Sequence, residues 1–246
     1  MKKLSIITIC YNIKDEIERT CESIINQTYQ DFEWIVVDGG STDGTIDILN
    51  KYKHRMDVFI SEPDKGIYNA MNKGIKLSTG TYLNFMNGGD KFIQNDVLEK
   101  IFKNKDYDAD ILYGNMCRFK KKKIIKRIYS KPINKKYFYN SCISHQSSFI
   151  KRDLFDKYGL YNENYRIVSD WEKWIVFAIN NCKFQHLDLF VAIFDTNGIS
   201  SQTSPTLIAE RTSVHNKYFS LNATKIYIFG LPILKIENNL KGKKND

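Results

Sequence analysis

Polar groups able to bind a ligand follow four predicted strands of this chain, at the point where each strand ends. The strands at 4–10, 32–37, 58–60 and 81–86 are followed by Tyr11-Asn12, Asp38, Asp64 and Asp90. Carboxylates accept hydrogen bonds and are oxygen ligands for hard cations. Because the carboxyl ends of parallel strands meet at one edge of a sheet, these groups predict a pocket for a polar ligand there.

The stretch 35–45 shows this pattern most clearly. Residues 35–37 form an apolar run, which indicates a strand buried on both faces, and Asp38 ends it. Gly39 and Gly40 permit a sharp turn, and 41–43 are residues that favour turns and helix starts. A plain strand–turn–helix corner without a ligand is the alternative, and this stretch alone does not decide between them.

The first half of the chain alternates short apolar strands with amphipathic helices, predicted at 15–27, 43–52 and 66–77. This β-α-β-α-β-α-β order specifies an α/β fold with a Rossmann-like, mostly parallel central sheet, right-handed crossovers and helices on both faces. The alternation stops near 105–115. A smaller mixed part is predicted beyond it, with helices at 95–102, 152–158, 168–178 and 207–219 and strands at 111–113 and 187–194.

Composition restricts the class of protein. The 246 residues carry 37 Lys and Arg against 28 Asp and Glu, a net charge of +9. That excess suggests an anionic partner, although solubility alone could account for it. The five cysteines are odd in number and have no C-x-x-C spacing, so we expect reduced thiols and neither a disulfide framework nor a zinc site.

No segment has the features of a signal peptide or a membrane span. The apolar run after the N-terminal lysines is short, and no stretch reaches the roughly 18 apolar residues that a transmembrane helix needs. We therefore expect a cytoplasmic protein that either is soluble or lies peripherally on the inner face of the plasma membrane.

A basic segment at 118–127 is predicted to form a hairpin with Lys120–Lys123 at its tip. It is either a solvated turn or a contact for anionic lipid head groups or a phosphate-bearing acceptor. We do not expect nucleic acid as the partner, because no recognised binding motif accompanies the charge. The apolar and basic tail at 221–246 either packs on the domain or lies on a bilayer surface.

Two polar segments lie in the second half. His145 and Gln146 enter a predicted apolar strand, where a lone histidine is more often structural than catalytic. Asp170 and Glu172 lie in the first turn of a predicted helix, where the helix dipole favours negative charge. From pattern alone, the dipole role is the simpler interpretation of Asp170.

Taken in order, six segments of the chain resemble the motifs of family 2 glycosyltransferases with the GT-A fold: 6–12, 36–45, 62–74, 83–90, 144–149 and 169–174. The resemblance is nearest to bacterial capsule and exopolysaccharide transferases of the colanic-acid type. It implies transfer of a sugar from a nucleotide-sugar, with a UDP-sugar expected, to a saccharide hydroxyl with inversion. It places the transferase domain at 1–220, divided into a donor half (1–105) and an acceptor half (106–220), before the tail.

The resemblance also implies roles for single residues. Those implied in nucleotide-sugar binding are Thr8, Tyr11, Asn12, Asp38, Asp64, Lys65, Asn72 and Gly89. Thr8 and Tyr11 would line the nucleobase pocket, and Asp38 would bond the base. Asp64 and Asn72 would lie near the ribose, and Lys65 near the diphosphate. The acceptor side would include His145, Gln146, Trp171 and Glu172.

In the same resemblance Asp90 would bind a divalent metal and Asp170 would act as general base. The family often has two adjacent aspartates after the fourth strand, whereas Gly89 precedes Asp90 here. One carboxylate with diphosphate oxygens and water can still hold Mg²⁺ or Mn²⁺, so we expect metal use with weak affinity of the protein alone. A lipid diphosphate-linked sugar is the acceptor that the resemblance implies.

Two other functions are compatible with such a scaffold. A sugar nucleotidyltransferase uses a similar α/β fold, although no glycine-rich triphosphate loop lies near the N-terminus. A non-catalytic module that docks on membrane surfaces would need neither Asp90 nor Asp170. A dinucleotide dehydrogenase is disfavoured because no G-x-G-x-x-G follows the first strand.

Overall fold

The computed structural model describes residues 2–120, 123–129, 133–195, 203–219, 225–228 and 231–235. Its first half contains the elements β1 (Leu4–Cys10), α1 (Lys14–Ile25), β2 (Phe32–Asp38), α2 (Thr45–Tyr52), β3 (Val58–Ser61), α3 (Ile67–Leu77) and β4 (Tyr82–Phe85). The elements that follow are β5 (Lys91–Phe92), α4 (Val97–Phe102), β6 (Ile111–Lys120), β7 (Lys123–Arg127), β8 (Ser148–Lys151), α5 (Asp153–Tyr158), α6 (Ser169–Ile179), β9 (Phe184–Asp195), α7 (Pro205–Tyr218), β10 (Lys225–Ile228) and β11 (Leu231–Lys235).

One nine-stranded sheet organises these elements, in the order β3-β2-β1-β4-β8-β6-β9-β5, with β7 paired to β6. The four strands of the first half run parallel to one another. The strands of the second half are mixed, since β8 is antiparallel to β4 and β6 while β6 and β9 are parallel. The predicted α/β class, with a parallel half followed by a mixed part, is confirmed.

Hydrophobic residues pack on both faces of the sheet. Every residue of β1 and β2 is buried, as expected for strands covered on two sides. One core cluster joins Trp34 of β2 to α1, α2 and α4, and the other joins Met71 of α3 to α5, α6 and α7. Helices therefore cover both faces, as predicted.

The main difference from the predicted elements lies in β6, which runs from Ile111 to Lys120 and so joins the strand predicted at 111–113 to the hairpin predicted at 118–127. Gly114 and Asn115 interrupt the apolar pattern there, and the register between β6 and β9 shifts at these residues. A Cβ at Gly114 would lie 2.5 Å from a methyl carbon of Val191, so the close approach of β9 requires glycine. Because Gly114 and Asn115 break the apolar pattern, the full length of β6 could not be predicted from the sequence.

The predicted basic hairpin is present as the antiparallel pair β6 and β7, in which Lys120 faces Lys123. Lys121 and Lys122, at the predicted tip, lie outside the described residues, as does most of the tail at 221–246. Within the tail, β10 and β11 form an antiparallel pair. No helix in the described part of the chain is both long and apolar enough to cross a bilayer.

The parallel strands bring the predicted polar groups to one edge. Cys10, the last residue of β1, is paired with Asp38 at the end of β2. On the other side of β1, the Gly88 N–H beyond β4 donates to the carbonyl of Ile9. The loops that carry Asp38 and Asp90 therefore flank the end of the same strand.

Candidate active site

Asp38 organises the loop that follows β2. Its side chain is fully buried, and Oδ2 accepts hydrogen bonds from the N–H groups of Gly40 and Ser41 and from the Ser61 hydroxyl, at 2.7 to 3.0 Å. Oδ1 accepts from the Ser41 hydroxyl and from the Cys10 thiol. A carboxylate has about four lone-pair sites, so these donors occupy it fully. In this structure Asp38 therefore holds the loop that follows β2.

Asp64 lies beside this loop, next to Gly39. A Cβ at Gly39 would lie 2.5 Å from Oδ2 of Asp64 and 3.3 Å from the Tyr11 ring, so the absence of a side chain at residue 39 lets both come close. Oδ1 of Asp64 accepts from the Gly66 N–H at 2.7 Å. Tyr11 is 62% exposed, and the three residues form an open edge that a planar base could contact.

Of the other residues expected at the donor side, Asn12 and Lys65 lie on the surface and Thr8 lies in the core. Asn12, with a positive φ of 48°, accepts from the Thr42 N–H, and Lys65 is exposed. Thr8 is fully buried and its hydroxyl accepts from the Trp34 indole at 3.0 Å, so it packs β1 against β2 and does not line a pocket.

Asn72 also has a structural role. It is 2% exposed, and its side chain exchanges hydrogen bonds with the backbone of Tyr161 and donates to Glu163 at 2.8 Å. Both ends of the amide are occupied in tying α3 to the segment before α6. Asn72 therefore forms a contact between the two halves of the chain.

Asp90 lies in the turn beyond β4, next to Gly89, whose φ of 94° requires the left-handed conformation that glycine adopts readily. Asp90 is 5% exposed, and its Oδ2 accepts a hydrogen bond of 2.7 Å from the Gln146 amide. The Thr20 hydroxyl donates to the Asp90 carbonyl and accepts from the Gly89 N–H, which fixes the turn against α1.

The oxygen donors near Asp90 determine whether a metal could bind there. Within the described residues, no group of three or more His, Cys, Asp and Glu side chains could hold a metal ion. The Asp90 carboxylate is a hard oxygen donor, and the buried Oδ1 of nearby Asn87 has no hydrogen-bond partner in the described part of the chain. This donor set fits a cation that takes most of its ligands from a diphosphate and water.

Asp170 lies in the first turn of α6, with its side chain 20% exposed. Oδ1 accepts from the Tyr68 hydroxyl at 2.9 Å and from the Trp171 N–H at 2.8 Å, and Oδ2 lies 3.3 Å from Nδ1 of His145. Burial by itself raises the pKa of Asp170, but the contact with His145 and the bonds from Tyr68 and Trp171 outweigh it and lower the pKa below its usual value. Asp170 is thus held as a carboxylate.

His145 is oriented from its other side. Its Nε2 lies 3.1 Å from the amide nitrogen of Asn87, which can only donate, so Nε2 accepts. The proton of the neutral imidazole is then on Nδ1 and points to Asp170. The same turn, His145–Ser147, carries Gln146, so it connects Asp90 with Asp170.

Trp171 and Glu172, which follow Asp170 in α6, are directed into the protein. Trp171 is 2% exposed and its indole donates to the Phe138 carbonyl at 2.9 Å. Glu172 is 5% exposed and accepts from Lys217 at 2.8 Å and from Tyr218 at 3.0 Å, both on α7. Because successive helical residues point in different directions, only Asp170 of this turn reaches the strand-end side.

Sequence analysis missed Tyr68 and Asn87, which contact Asp170 and His145. Tyr68 belongs to the apolar face of α3, where nothing in the pattern marks a polar contact. Asn87 is one polar residue in a turn, and its partner is distant in the sequence.

Comparison with known proteins gives consistent matches. The family described as "Glycosyl transferase family 2" matches residues 5–159. A PGL/p-HBAD biosynthesis glycosyltransferase of Mycobacterium bovis is 33% identical over 173 residues, which cover 68% of this chain and 66% of that relative.

Solved structures share the architecture at low identity. S. aureus TarS in complex with UDP-GlcNAc has a TM-score of 0.69 and 18% identity, covering 82% of this chain and 62% of that chain. The mannosyltransferase PcManGT from Pyrobaculum calidifontis, in complex with GDP-Man and Mn²⁺, has a TM-score of 0.60 and 15% identity, covering 78% and 56%. This chain therefore spans less than two thirds of each of these three proteins.

Proposed function

The chain belongs to glycosyl transferase family 2 and has the GT-A fold, and on this premise we propose that it transfers a sugar from a UDP-sugar to a hydroxyl of a saccharide acceptor, with inversion. One observation carries the proposal. The turn His145–Ser147 joins Asp90 at the donor edge to Asp170 at the start of α6, through Gln146 and His145. A carboxylate suited to a cation and a second suited to accept a proton are thereby connected through two adjacent residues of one turn.

Donor binding is assigned to the open edge around Gly39. Tyr11 is exposed and can stack on a planar base, and Asp64 can accept the N3–H of uracil in place of Asp38, whose lone pairs are occupied. Lys65 is exposed next to Asp64 and can contact the diphosphate. The relative solved with UDP-GlcNAc supports a uridine nucleotide, and the relative solved with GDP-Man is the alternative.

Asp90 would hold a divalent cation, Mg²⁺ or Mn²⁺, together with oxygens of the donor diphosphate. When bound, such a cation neutralises charge on the departing nucleoside diphosphate. Gln146 orients the Asp90 carboxylate, and Thr20 fixes the turn that carries it. The structure of PcManGT, which shares the fold and was solved with Mn²⁺, supports a divalent metal.

Asp170 would act as general base in a single displacement. The acceptor oxygen bonds to the anomeric carbon as the bond to the diphosphate oxygen breaks, and that electron pair leaves with the diphosphate. The proton of the acceptor hydroxyl passes to Asp170, which the lowered pKa keeps ionised and ready to accept it. General-base catalysis of this kind contributes about 10²–10⁴-fold.

We propose that the donor half is 1–105 and the acceptor half 106–220, because Tyr11, Asp64 and Asp90 come from the first and Asp170 from the second. The resemblance to capsule transferases supports a role in bacterial surface polysaccharide synthesis at the cytoplasmic side of the plasma membrane. A saccharide on a lipid diphosphate is the acceptor that this role requires.

The test is a panel of nucleotide sugars assayed for donor hydrolysis, with Mn²⁺ and with EDTA. We expect hydrolysis of one or a few UDP-sugars, with metal only. Asp170→Asn should abolish transfer while UDP still binds, whereas Asp156→Asn, an exposed carboxylate on α5, should have no effect. Full activity of Asp170→Asn rejects its role, and release of diphosphate from a nucleoside triphosphate and a sugar phosphate indicates a nucleotidyltransferase instead.

A further inference from the structure

A cavity of about 260 Å³ lies between the middle of α7 and the β6–β7 hairpin. The residues that line it are Arg118, Lys126, Arg127, Asn140, Ser141, Cys142 and Arg211. Its described lining therefore contains four cationic side chains and no acidic one. So many like charges in a small concave site repel one another, and an anion that enters the site relieves that repulsion.

The cations of the cavity are held in place by the protein. Arg127 donates from Nη2 to the Cys142 carbonyl at 2.9 Å, and its guanidinium lies 5.1 Å from the centre of the Tyr129 ring. Arg211 is 7% exposed and lies 4.6 Å from the centre of the Trp171 ring. Nε of Arg118 is buried and has no hydrogen-bond partner among the described residues. The guanidinium groups of the cavity are thus held in place, and the Nε–H of Arg118 can donate a hydrogen bond to a ligand.

Two short paths connect this cavity to Asp170. Arg211 lies over Trp171, whose backbone N–H donates to Asp170 at 2.8 Å. Arg127 lies over Tyr129, whose hydroxyl accepts from the N–H of Ser144, the residue before His145. Residues of the cavity are thus connected through Trp171 and Tyr129 to the residues that surround Asp170.

We propose that this cavity binds a phosphate or diphosphate group of the acceptor, which places the acceptor sugar near Asp170. The inference rests on the proposed function and specifies its acceptor. Planar guanidinium groups pair with phosphate oxygens through two parallel hydrogen bonds, and such charge-assisted bonds are about twice as strong as neutral ones. A carboxylate brings one negative charge, whereas a diphosphate brings two or more to a site with four cations.

Binding is tested by calorimetry with inorganic diphosphate, titrated into protein already saturated with UDP and Mn²⁺ so that the donor site is filled. We expect a second site in the unchanged protein. Arg118→Gln should weaken that site by about tenfold or more, since it removes a charged hydrogen-bond donor. Lys126→Gln, a change at an exposed residue that should not disturb folding, should weaken it less.

Lys103→Gln is the matched control, because Lys103 is exposed directly after α4, on the other face of the sheet, and its loss changes the net charge equally. Absence of a second site, or equal affinity in Arg118→Gln and Lys103→Gln, overturns the proposal.

A kinetic experiment distinguishes the source of the phosphate. Transfer to an alkyl-diphosphate-linked sugar is compared with transfer to the same sugar as an alkyl glycoside. In a second assay, binding of the protein is measured on phosphatidylcholine vesicles with and without phosphatidylglycerol. We expect a lower KM for the diphosphate-linked sugar, and loss of this preference in Arg118→Gln. Equal KM values for the two acceptors overturn the proposal, and vesicle binding that depends on Arg118 would then assign the cavity to a lipid head group.

Donor hydrolysis without any acceptor tests the transferase activity separately. Hydrolysis together with equal KM values would reject the acceptor site alone. Absence of hydrolysis with every donor would instead reject the proposed function.

Discussion

Nδ1 of His145 lies 3.3 Å from Oδ2 of Asp170. The adjacent residue, Gln146, donates to Asp90 at 2.7 Å. A single turn between β7 and β8 therefore orients the proposed metal ligand and the proposed general base together. A change at either residue of this turn should affect one carboxylate directly and leave the other in place.

Replacing His145 should shift the pH dependence of transfer. The contact with His145 stabilises the ionised form of Asp170 and lowers its pKa, so His145→Leu should raise that pKa. Activity that needs the carboxylate is lost as pH falls through this pKa, and the acid limb of the kcat/KM profile should therefore move to higher pH. The pH–rate profile of the variant measures the shift.

His145→Asn is the control for this experiment, because an asparagine amide can still donate a hydrogen bond towards Asp170. The asparagine variant should retain a profile close to that of the unchanged protein. An unmoved acid limb in His145→Leu would contradict the orientation of Asp170 by His145.

Asp38→Asn should destabilise the protein, because the buried carboxylate accepts from three backbone and hydroxyl groups through Oδ2 alone. The NH₂ group of asparagine would face N–H and O–H groups that themselves donate hydrogen bonds. We therefore expect the free energy of unfolding to fall by about 2–4 kcal/mol. Urea denaturation measures the free energy of unfolding. The control is Asp31→Asn, because the Asp31 carboxylate is 60% exposed. Equal stability of the two variants would show that Asp38 does not hold the loop.

The fold could be predicted from the sequence because local patterns determine it. The run 32–37 is apolar apart from Glu33, and it forms β2 with every residue buried. The helix predicted at 66–77 forms α3 at 67–77, since its apolar residues repeat with helical spacing. The long strand β6 was the exception, because Gly114 and Asn115 break the alternation at a point where tertiary contacts with β9 maintain the strand.

The site could be predicted only as far as the ends of the strands. Strand order brings Asp38 and Asp90 to the same edge, but it does not determine where each side chain finds its partners. Thr8 points to Trp34 in the core, and Glu172 points to α7. These directions depend on packing between segments far apart in the chain, which periodicity does not specify.

Asp64→Asn should reduce recognition of uracil. The Asp64 carboxylate approaches the place that a side chain at Gly39 would fill, beside the exposed Tyr11 ring. If it accepts the N3–H of uracil, the unchanged protein should bind UDP more tightly than N3-methyl-UDP by about tenfold, and Asp64→Asn should lose that difference. Calorimetry with both nucleotides gives the comparison.

Glu62→Gln serves as the control for Asp64, because Glu62 is an exposed carboxylate of the same loop that pairs with Lys73. The control should keep the preference for UDP. Equal discrimination by Asp64→Asn and Glu62→Gln would contradict the assignment of the base contact to Asp64.

Metal and nucleotide should bind cooperatively. Asp90 is the acidic residue of the β4 turn, and no group of three or more metal-binding side chains occurs within the described ranges, so Mn²⁺ alone should bind with a dissociation constant on the order of 10⁻³ M or weaker. UDP supplies further oxygen ligands for the ion. By linkage, the factor by which UDP raises the affinity for Mn²⁺ must equal the factor by which Mn²⁺ raises the affinity for UDP. Calorimetry measures the two factors, with each ligand titrated in the presence and in the absence of the other. Asp90→Asn should reduce both affinity factors towards one, and it should abolish the activity that Mn²⁺ restores after EDTA. The control is Asp96→Asn, at a carboxylate paired with Lys100, which should change neither the affinity factors nor the activity. Tight binding of Mn²⁺ without nucleotide would mean that the protein supplies more ligands than Asp90.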